Sequence, residues 1–584
     1  MSALSWLPSL TDGTEPLLDH RDGGSLDATV RALADEFTPF RRPGQGRGTT
    51  LQYALLARLL AGPQRTLASL PPAERARYFA EGVERLYLGT RAGLPFHDTF
   101  PVVGRRPVGE DAVTSATRVI GTLAHLVRSD STAAVRLRLW RRAATDCDRL
   151  VRDESAAHFV LLRGGVLYRL PLALAGQRAR LHPVLRRIAR ARTLAPRLSL
   201  GAGSALARER WAAIESSLVA GSAPTRALDA LRRAAFLVCL DDAPRHRVLP
   251  GEDARPADPL APERFVDRCF DKCVQTVIAA DGTTSLLCEH GGIDGVEAIA
   301  LLRRLEPSAS AGAATSVRTR ATVPPLPAPM RIDLSEALDE RTVDAARTEL
   351  AAAQADAERC VGHWPDFPLA AFDGLNASVD GLVQIAVQIA FRRCTGRLPS
   401  VHEPVRPSPG STRRLAFVSP VSTASARLDA ALHRGATRHG VPLLDAALGV
   451  HRAAVRRGRH GHAELTHLLA LGAVEFADDA ARGARVQRRR KRLLGGLSRA
   501  FAHLARRDLT VSCGGYGVPV TRFGTIAHRP HTGAIGYVVG DDGLALDTLL
   551  HGGLRRTLCA ERFAESLRGA LHEIIDCRQA GVAS

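Results

Sequence analysis

The sequence predicts an α/β (α+β) protein of two lobes, each combining strands and helices. Three observations predict it. Strand-like and helix-like patterns alternate in both halves of the chain. A stretch rich in Ser, Ala, Thr and Pro, "EPSASAGAATSVRTRATVPPLPAPM", separates the halves at 306–330. The 584 residues also exceed what one hydrophobic core ordinarily organises.

The elements follow in order. "LDATVRALADEF" and "LQYALLARLLAG" space apolar residues at i, i+3 and i+4, so the first hundred residues read as helical. "AHFVLLRGGVLYRLPL", 157–172, reads as two strands joined at Gly164 and Gly165. Helices are expected at 186–195 and 208–219, and a short apolar strand in "AAFLVCLDD", 234–242. "CVQTVIAADGTTSLLCEH" reads as a hairpin with a tight turn at Asp281 and Gly282, which puts His290 at the end of its second strand. "GVEAIALLRRL" then begins a helix. After the linker, helices are expected at 335–359 and 379–394. "LTVSCGGYGVPVTRFGTIAHRP" and "AIGYVVG" read as β-rich, and a closing helix is expected at 561–576.

Composition bounds the function. Hydrophobic residues make up 45% of the chain, yet no run approaches a membrane span, and "MSALSWLPSLTDG" lacks the basic start and apolar run of a signal peptide. A cytoplasmic monomer is expected. The formal charge is +19, carried almost wholly by arginine, since Lys272 and Lys491 are the only lysines. Part of it clusters in "RVQRRRKRLL", 485–494, either a solvated face or an attractor for an acidic partner. Aromatics at 5% give no nucleic-acid module, so no nucleic-acid partner is expected. The ten cysteines form no zinc-ligand spacing. Even the close pair Cys269 and Cys273 reads as buried thiols, and no metal is expected.

The chemistry concentrates in "CEHGGIDG", where His290 precedes Asp294 by four residues. A histidine at a strand end can take a proton from an alcohol near neutral pH. The same histidine could simply cap the strand, while Asp294 caps the next helix. Gly291, Gly292 and Gly295 permit close backbone approach and unusual dihedrals. Asp294 could also hold the surrounding loop through a basic partner.

The wider context resolves more than the motif. "DRCFDKCVQTVIAADGTTSLLCEHGGIDG" resembles the active-site segment of the choline/carnitine acyltransferase family. "SWLPSL", "AHFVLLRGGVLYRL", "RERWAAIESSLVAG", "SVDGLVQIAVQIAFRRCTGRLPSVHE", "AHRPHTGAIGYVV" and "ERFAESLRGALHEI" resemble further family segments in the same order. The resemblance implies two chloramphenicol-acetyltransferase-like lobes, each a mixed β-sheet flanked by helices, with an active-site tunnel between them. It places an N-terminal lobe at 83–331 and a C-terminal lobe at 1–82 plus 332–584. It implies direct transfer of an acyl group from a thioester to a hydroxyl, with no acyl-enzyme, no tightly bound cofactor, and His290 as general base.

Other roles follow only through the resemblance. Thr510, Val511 and Ser512 stand where the family has Ser-Thr-Ser, so Ser512 would donate to the oxyanion. Thr412, His402, Thr466 and Thr510 match acceptor-side positions, Ser378 and Asp380 the donor side, and Gly514 and Gly515 the acyl pocket, where Gly514 would leave room for a longer chain. The departures are specific. Thr466 replaces the arginine that holds the carnitine carboxylate, and a threonine supplies no charged clamp. This argues against carnitine and for a specialised biosynthetic role. It also leaves Asp294 needing a basic partner, for which Arg413 and Arg414 are candidates. Asp373 and Asn376 replace lysines that hold coenzyme A phosphates, so the co-substrate is either acyl-coenzyme A on other cations or acyl-phosphopantetheine on an acidic acyl-carrier protein. Two alternatives stay open: a condensation-type amide- or ester-forming domain, which would usually have histidine where Glu289 stands, and a catalytically degenerate carrier-protein-binding scaffold.

Overall fold

The computed structural model describes residues 69–71, 87–145, 147–242, 258–307, 325–407, 415–434, 440–460, 508–527 and 532–582. Both helices expected within the first 62 residues, most of the linker, Thr412, Arg413, Arg414, Thr466 and the basic run at 485–492 lie outside them.

The first half contributes strands β1 (Thr99–Gly104), β2 (Trp140–Arg142), β3 (Arg149–Val151), β4 (His158–Arg163), β5 (Val166–Pro171), β6 (Leu237–Leu240), β7 (Val274–Ile278), β8 (Thr284–Glu289) and β9 (Met330–Arg331). The second contributes β10 (Ala357–Trp364), β11 (Val401–Val405), β12 (Ala416–Val418), β13 (Leu509–Tyr516), β14 (Val520–Phe523), β15 (Gly533–Gly540) and β16 (Gly543–His551). They form an eight-stranded sheet, β14-β1-β8-β7-β6-β4-β5-β9, and a six-stranded sheet, β10-β16-β15-β13-β11-β12. Both are mixed. β6 runs parallel to β4 and β7, β13 runs parallel to β11 and β15, and their outer neighbours are antiparallel. β2 and β3 form a separate ribbon. The expected α/β architecture of two mixed sheets flanked by helices is observed.

One strand changes sheets. β14 lies late in the chain but pairs with β1 at the edge of the first sheet, Val102 opposite Phe523 and Val103 opposite Arg522. Its neighbours in sequence, β13 and β15, stay in the second sheet. The chain segment 83–331 therefore supplies every strand of the first sheet except this one.

Local chemistry accounts for the elements nearest the site. β7 and β8 are joined by Ala279–Thr283 rather than a two-residue turn. The Ala279 N–H donates to Thr283 O and the Gly282 N–H to Ala279 O, both at 2.9 Å. Gly282 has φ +84°, which favours glycine. The helix Val379–Thr395 is capped by Ser378 and ended by left-handed Gly396. It is buried from Gly381 to Phe391, so its apolar character runs all round rather than along one stripe.

Two helix expectations shift. The helix expected at 186–195 runs Arg178–Ala189 and passes through Pro183, because Leu181, Val184, Leu185 and Ile188 are buried along one face. The helix expected at 335–359 runs Glu340–Asp356 after a 3₁₀ turn at Leu334–Glu336. Its last expected residues, from Ala357, instead open β10, whose ladder to β16 satisfies the same backbone groups. Among the described residues no helix is long and apolar enough to cross a membrane.

A histidine pair joins the lobes. His97, just before β1, stacks on His551 at the end of β16 with ring centroids 4.4 Å apart. His97 Nδ1 lies 3.0 Å from Ala527 O and His551 Nε2 lies 2.7 Å from Phe96 O, so each ring donates to a carbonyl. Burial holds the pKa of His97 below its usual value. The unfolded chain therefore binds this proton more readily, and the stabilisation is fully present above about pH 6.5 and is lost as the pH falls below it through the lowered value of the folded state. His97→Asn removes the titration but keeps an N–H donor. Denaturant unfolding measured between pH 7.5 and 5.5 is expected to show a shallower loss of stability in this variant than in the wild type.

Candidate active site

His290 leaves the end of β8, whose Glu289 pairs with Thr99 of β1. Its backbone N–H donates to Asp98 O at 2.8 Å. The Tyr87 ring stacks on the imidazole at 4.5 Å and 12°, and Phe100 tilts against it at 5.1 Å. This aromatic slot sets the plane of the ring. His290 Nδ1 lies 3.6 Å from Asp294 Oδ1, too long for a hydrogen bond.

The loop after His290 is held from below by Glu289. This carboxylate accepts the N–H groups of Gly291 at 2.8 Å and Gly292 at 3.1 Å, and Arg141 Nη1 lies 2.5 Å from it. The glycines are needed for closeness. A Cβ on Gly291 would meet the Glu289 carboxylate at 2.8 Å, and one on Gly292 would meet Cys273 at 2.5 Å. Unusual dihedrals are not the reason, since Gly291, Gly292 and Gly295 are absent from the positive-φ residues.

Arg141 has no exposed side-chain surface. It also bonds Asp98 at 2.9 Å, Asp148 at 2.8 Å and Tyr87 O at 2.9 Å. Arg208 extends the network to Asp148 and Asp271. Burial works against the charge on Arg141, but Glu289, Asp98 and Asp148 outweigh it and hold its pKa above the ordinary arginine value. Burial pushes the Asp98 carboxyl up to about 6, against the pull of Arg141.

Asp294 caps the helix Gly295–Leu305 in a capping box with Glu297. Among the described residues Arg136 is a basic partner of this loop, bonding Gly292 O at 3.0 Å and Glu297 at 2.9 Å, while Arg413 and Arg414, the candidates for Asp294 itself, lie outside the described residues.

Ser512 arrives from the other sheet, on β13. A cavity of about 60 Å³ is lined by His290, Asp294 and Val296 from one side and by Ser512, Cys513 and Arg406 from the other, with Phe100 and Phe523 between. Two residues singled out more than 200 positions apart thus share one cavity. Burial pushes the Cys513 thiol up to about 12, which makes it a poor nucleophile.

The remaining expected residues are placed otherwise. Gly514 does not open onto free space. A Cβ there would meet Phe523 and Val538 at 2.6 Å each, so the glycine serves close packing, and the room for a longer chain beside it is filled. Gly515, at φ +116°, sits in a β-bulge where the register of β13 shifts. Thr510 and His402 are buried opposite one another on β13 and β11 and are not among the cavity-lining residues. Ser378 caps a helix. Asp380, itself partly exposed, accepts from the Tyr537 hydroxyl and belongs to a separate group with the buried Glu403 and His451. Their ligand atoms lie within 4.8 Å of one another, close enough for a divalent cation, but His451 Nε2 already pairs with Glu403 at 2.7 Å. Burial raises the Glu403 pKa. The imidazole of His451 is opposed by burial but raised overall by Glu403 and Asp380.

The family model for choline/carnitine O-acyltransferases matches residues 136–568, more than half of the chain. The chain belongs to the choline/carnitine O-acyltransferase family. Choline O-acetyltransferase from Sus scrofa is 30% identical over 202 residues, covering 34% of this chain and 31% of that protein. Carnitine O-acetyltransferase from Rattus norvegicus is 25% identical over 275 residues, covering 45% and 43%. Carnitine O-palmitoyltransferase 2 from Bos taurus is 23% identical over 351 residues, covering 56% and 50%. The matches thus span from about a third to half the length of these family members. A trichothecene 15-O-acetyltransferase from Fusarium sporotrichioides aligns over 85% of this chain and 94% of its own, at 10% identity and a TM-score of 0.40, which carries no argument about activity.

Sequence reasoning did not find Arg141, Arg136 or the structural task of Glu289. The available signal was two arginines placed directly after an apolar Leu-Trp pair in "LWRRAATD". Arg141→Ala would leave buried carboxylates without their cation. It is expected to cost about 3–5 kcal/mol, readable as a lowered denaturation midpoint.

Proposed function

We propose that this family member transfers an acyl group from a thioester directly to the hydroxyl of a small acceptor other than carnitine, with His290 as general base. The observation that carries the proposal is the cavity shared by His290 and Ser512. Nδ1 of His290 is buried beside Asp294, so Nε2 is assigned as the nitrogen that takes the hydroxyl proton. The alkoxide attacks the thioester carbonyl. The oxyanion that forms accepts a hydrogen bond from the Ser512 hydroxyl. Collapse of the intermediate breaks the C–S bond, and the protonated imidazole returns its proton to the leaving thiolate. Asp294 favours the imidazolium in between.

The absence of the family's carnitine arginine, with Thr466 in its place, supports an acceptor without that clamp. Asp373 and Asn376, at the positions of the family's phosphate-binding lysines, support a phosphopantetheine donor on a carrier protein beside coenzyme A. The tight seat of Glu289 supports the acyltransferase reading over a condensation-type one. The residue before His290 acts as a buried brace here, not as a second catalytic histidine.

His290→Ala is expected to lower product formation by about 10²–10⁴-fold. The measurement is acylated product by mass spectrometry, with acyl-coenzyme A and acyl-carrier protein assayed separately across a panel of alcohols. Equal rates in wild type and variant would leave only a scaffold. Ser512→Ala is expected to lower kcat by about 10²–10³-fold with little change in KM, because the oxyanion exists only in the transition state.

A further inference from the structure

β11 and β13 run parallel and in step, Val401 beside Leu509 and His402 beside Thr510. Their carboxyl ends therefore reach the cavity together. One brings Pro404 and Arg406, the other Ser512 and Cys513. Facing them are His290, Asp294 and the first turn of the helix Gly295–Leu305. Arg406 is the only arginine or lysine among the described residues that line this cavity. It is exposed, and among the described residues it makes no hydrogen bond or ion pair.

This contrasts with Arg136, Arg141 and Arg522 nearby, each of which is committed to a carboxylate. A guanidinium stays charged at any working pH. It presents its N–H donors as a planar fork that matches two oxygens of a carboxylate or a phosphate. The start of the helix Gly295–Leu305 adds partial positive charge to the same cavity. Asp294, the one carboxylate among the described lining residues, lies against the ring of His290.

We propose that Arg406 selects the acyl acceptor, a small hydroxyl compound bearing an anionic oxygen group, either carboxylate or phosphate. The guanidinium holds the anion while the hydroxyl meets His290. This assignment rests on the acyl-transfer reading above. A cationic alcohol would instead meet a like charge.

The test uses the full chain with acetyl and octanoyl groups carried on coenzyme A and, separately, on acyl-carrier protein as donors. The acceptors are 3-hydroxybutyrate beside 1,3-butanediol, glycerol 3-phosphate beside glycerol, and choline. The readout is the ratio of kcat/KM for each anion to that of its neutral counterpart. The wild type is expected to favour at least one anion by about 10-fold or more, and the two pairs separate carboxylate from phosphate. Arg406→Gln is expected to reduce that ratio about 10–100-fold, chiefly through KM, and Arg406→Lys to restore part of it, since the charge returns without the fork. Arg406 is exposed, so both variants are expected to melt like the wild type. An unchanged ratio in Arg406→Gln, or a wild type that prefers choline, overturns the assignment of Arg406. If those same reactions still require His290, the acyl-transfer reading stands. If wild type and His290→Ala consume thioester equally and acylate nothing, both fall together.

Discussion

Arg141 lies out of solvent among Asp98, Asp148 and Glu289, and the candidate site is suspended from that cluster. Taking a guanidinium from water is costly, and only close, well-oriented carboxylates offset it. Here each carboxylate belongs to a different segment: the entry to β1, the turn before β3 and the end of β8. The ion pairs therefore fix three segments at once. Glu289 passes the constraint on, because its oxygens also hold the N–H groups of Gly291 and Gly292. His290 stands between the brace and the glycines, so it takes its position from charges it does not touch.

The second constraint is the exchange of β14. Arg522 on this strand bonds Asp547 of β16 at 2.7 Å and Asp258 at 3.1 Å, and Arg359 of β10 shares Asp547 at 3.0 Å. A strand hydrogen-bonded into the first sheet is thereby tied by charge to the second. The next residue, Phe523, fits between two glycines, Gly295 at the start of the helix behind His290 and Gly514 on β13. A side chain at either glycine would collide with the ring. The distance between the base on one sheet and the serine on the other depends on this sandwich, which explains why both glycines are small without either being free space.

Legibility followed the range of the physics. His290 at a strand end and Asp294 as a helix cap depend on neighbours within a few residues, and each sits where the sequence puts it. The helix expected to run to 359 failed at Ala357 because a partner strand nearly two hundred residues away competes for its backbone. Gly514 failed as an opening because the atoms that fill the space come from Phe523 and Val538. His402 and Thr510 share a register but lie away from the cavity, since a match to a motif position fixes the strand and not how deep along it the cavity reaches. Glu289 could be read as the absence of a second histidine, but not as a brace without knowing that Arg141 lies beneath it.

By itself the sequence determined the alternation of strands and helices, the two mixed sheets, the family through the matched run of segments, and His290 followed by a capping Asp294. These rest on periodicity, turn chemistry and motif order, which are local or collinear along the chain. Only the tertiary structure decided that Ser512 shares a cavity with His290, that Glu289 and Arg141 brace the loop, and that Arg406, with no partner among the described residues, lines the cavity of the base. Those relations join residues 116 to 222 positions apart through buried charge and strand exchange, and a linear pattern carries no record of which distant side chains meet.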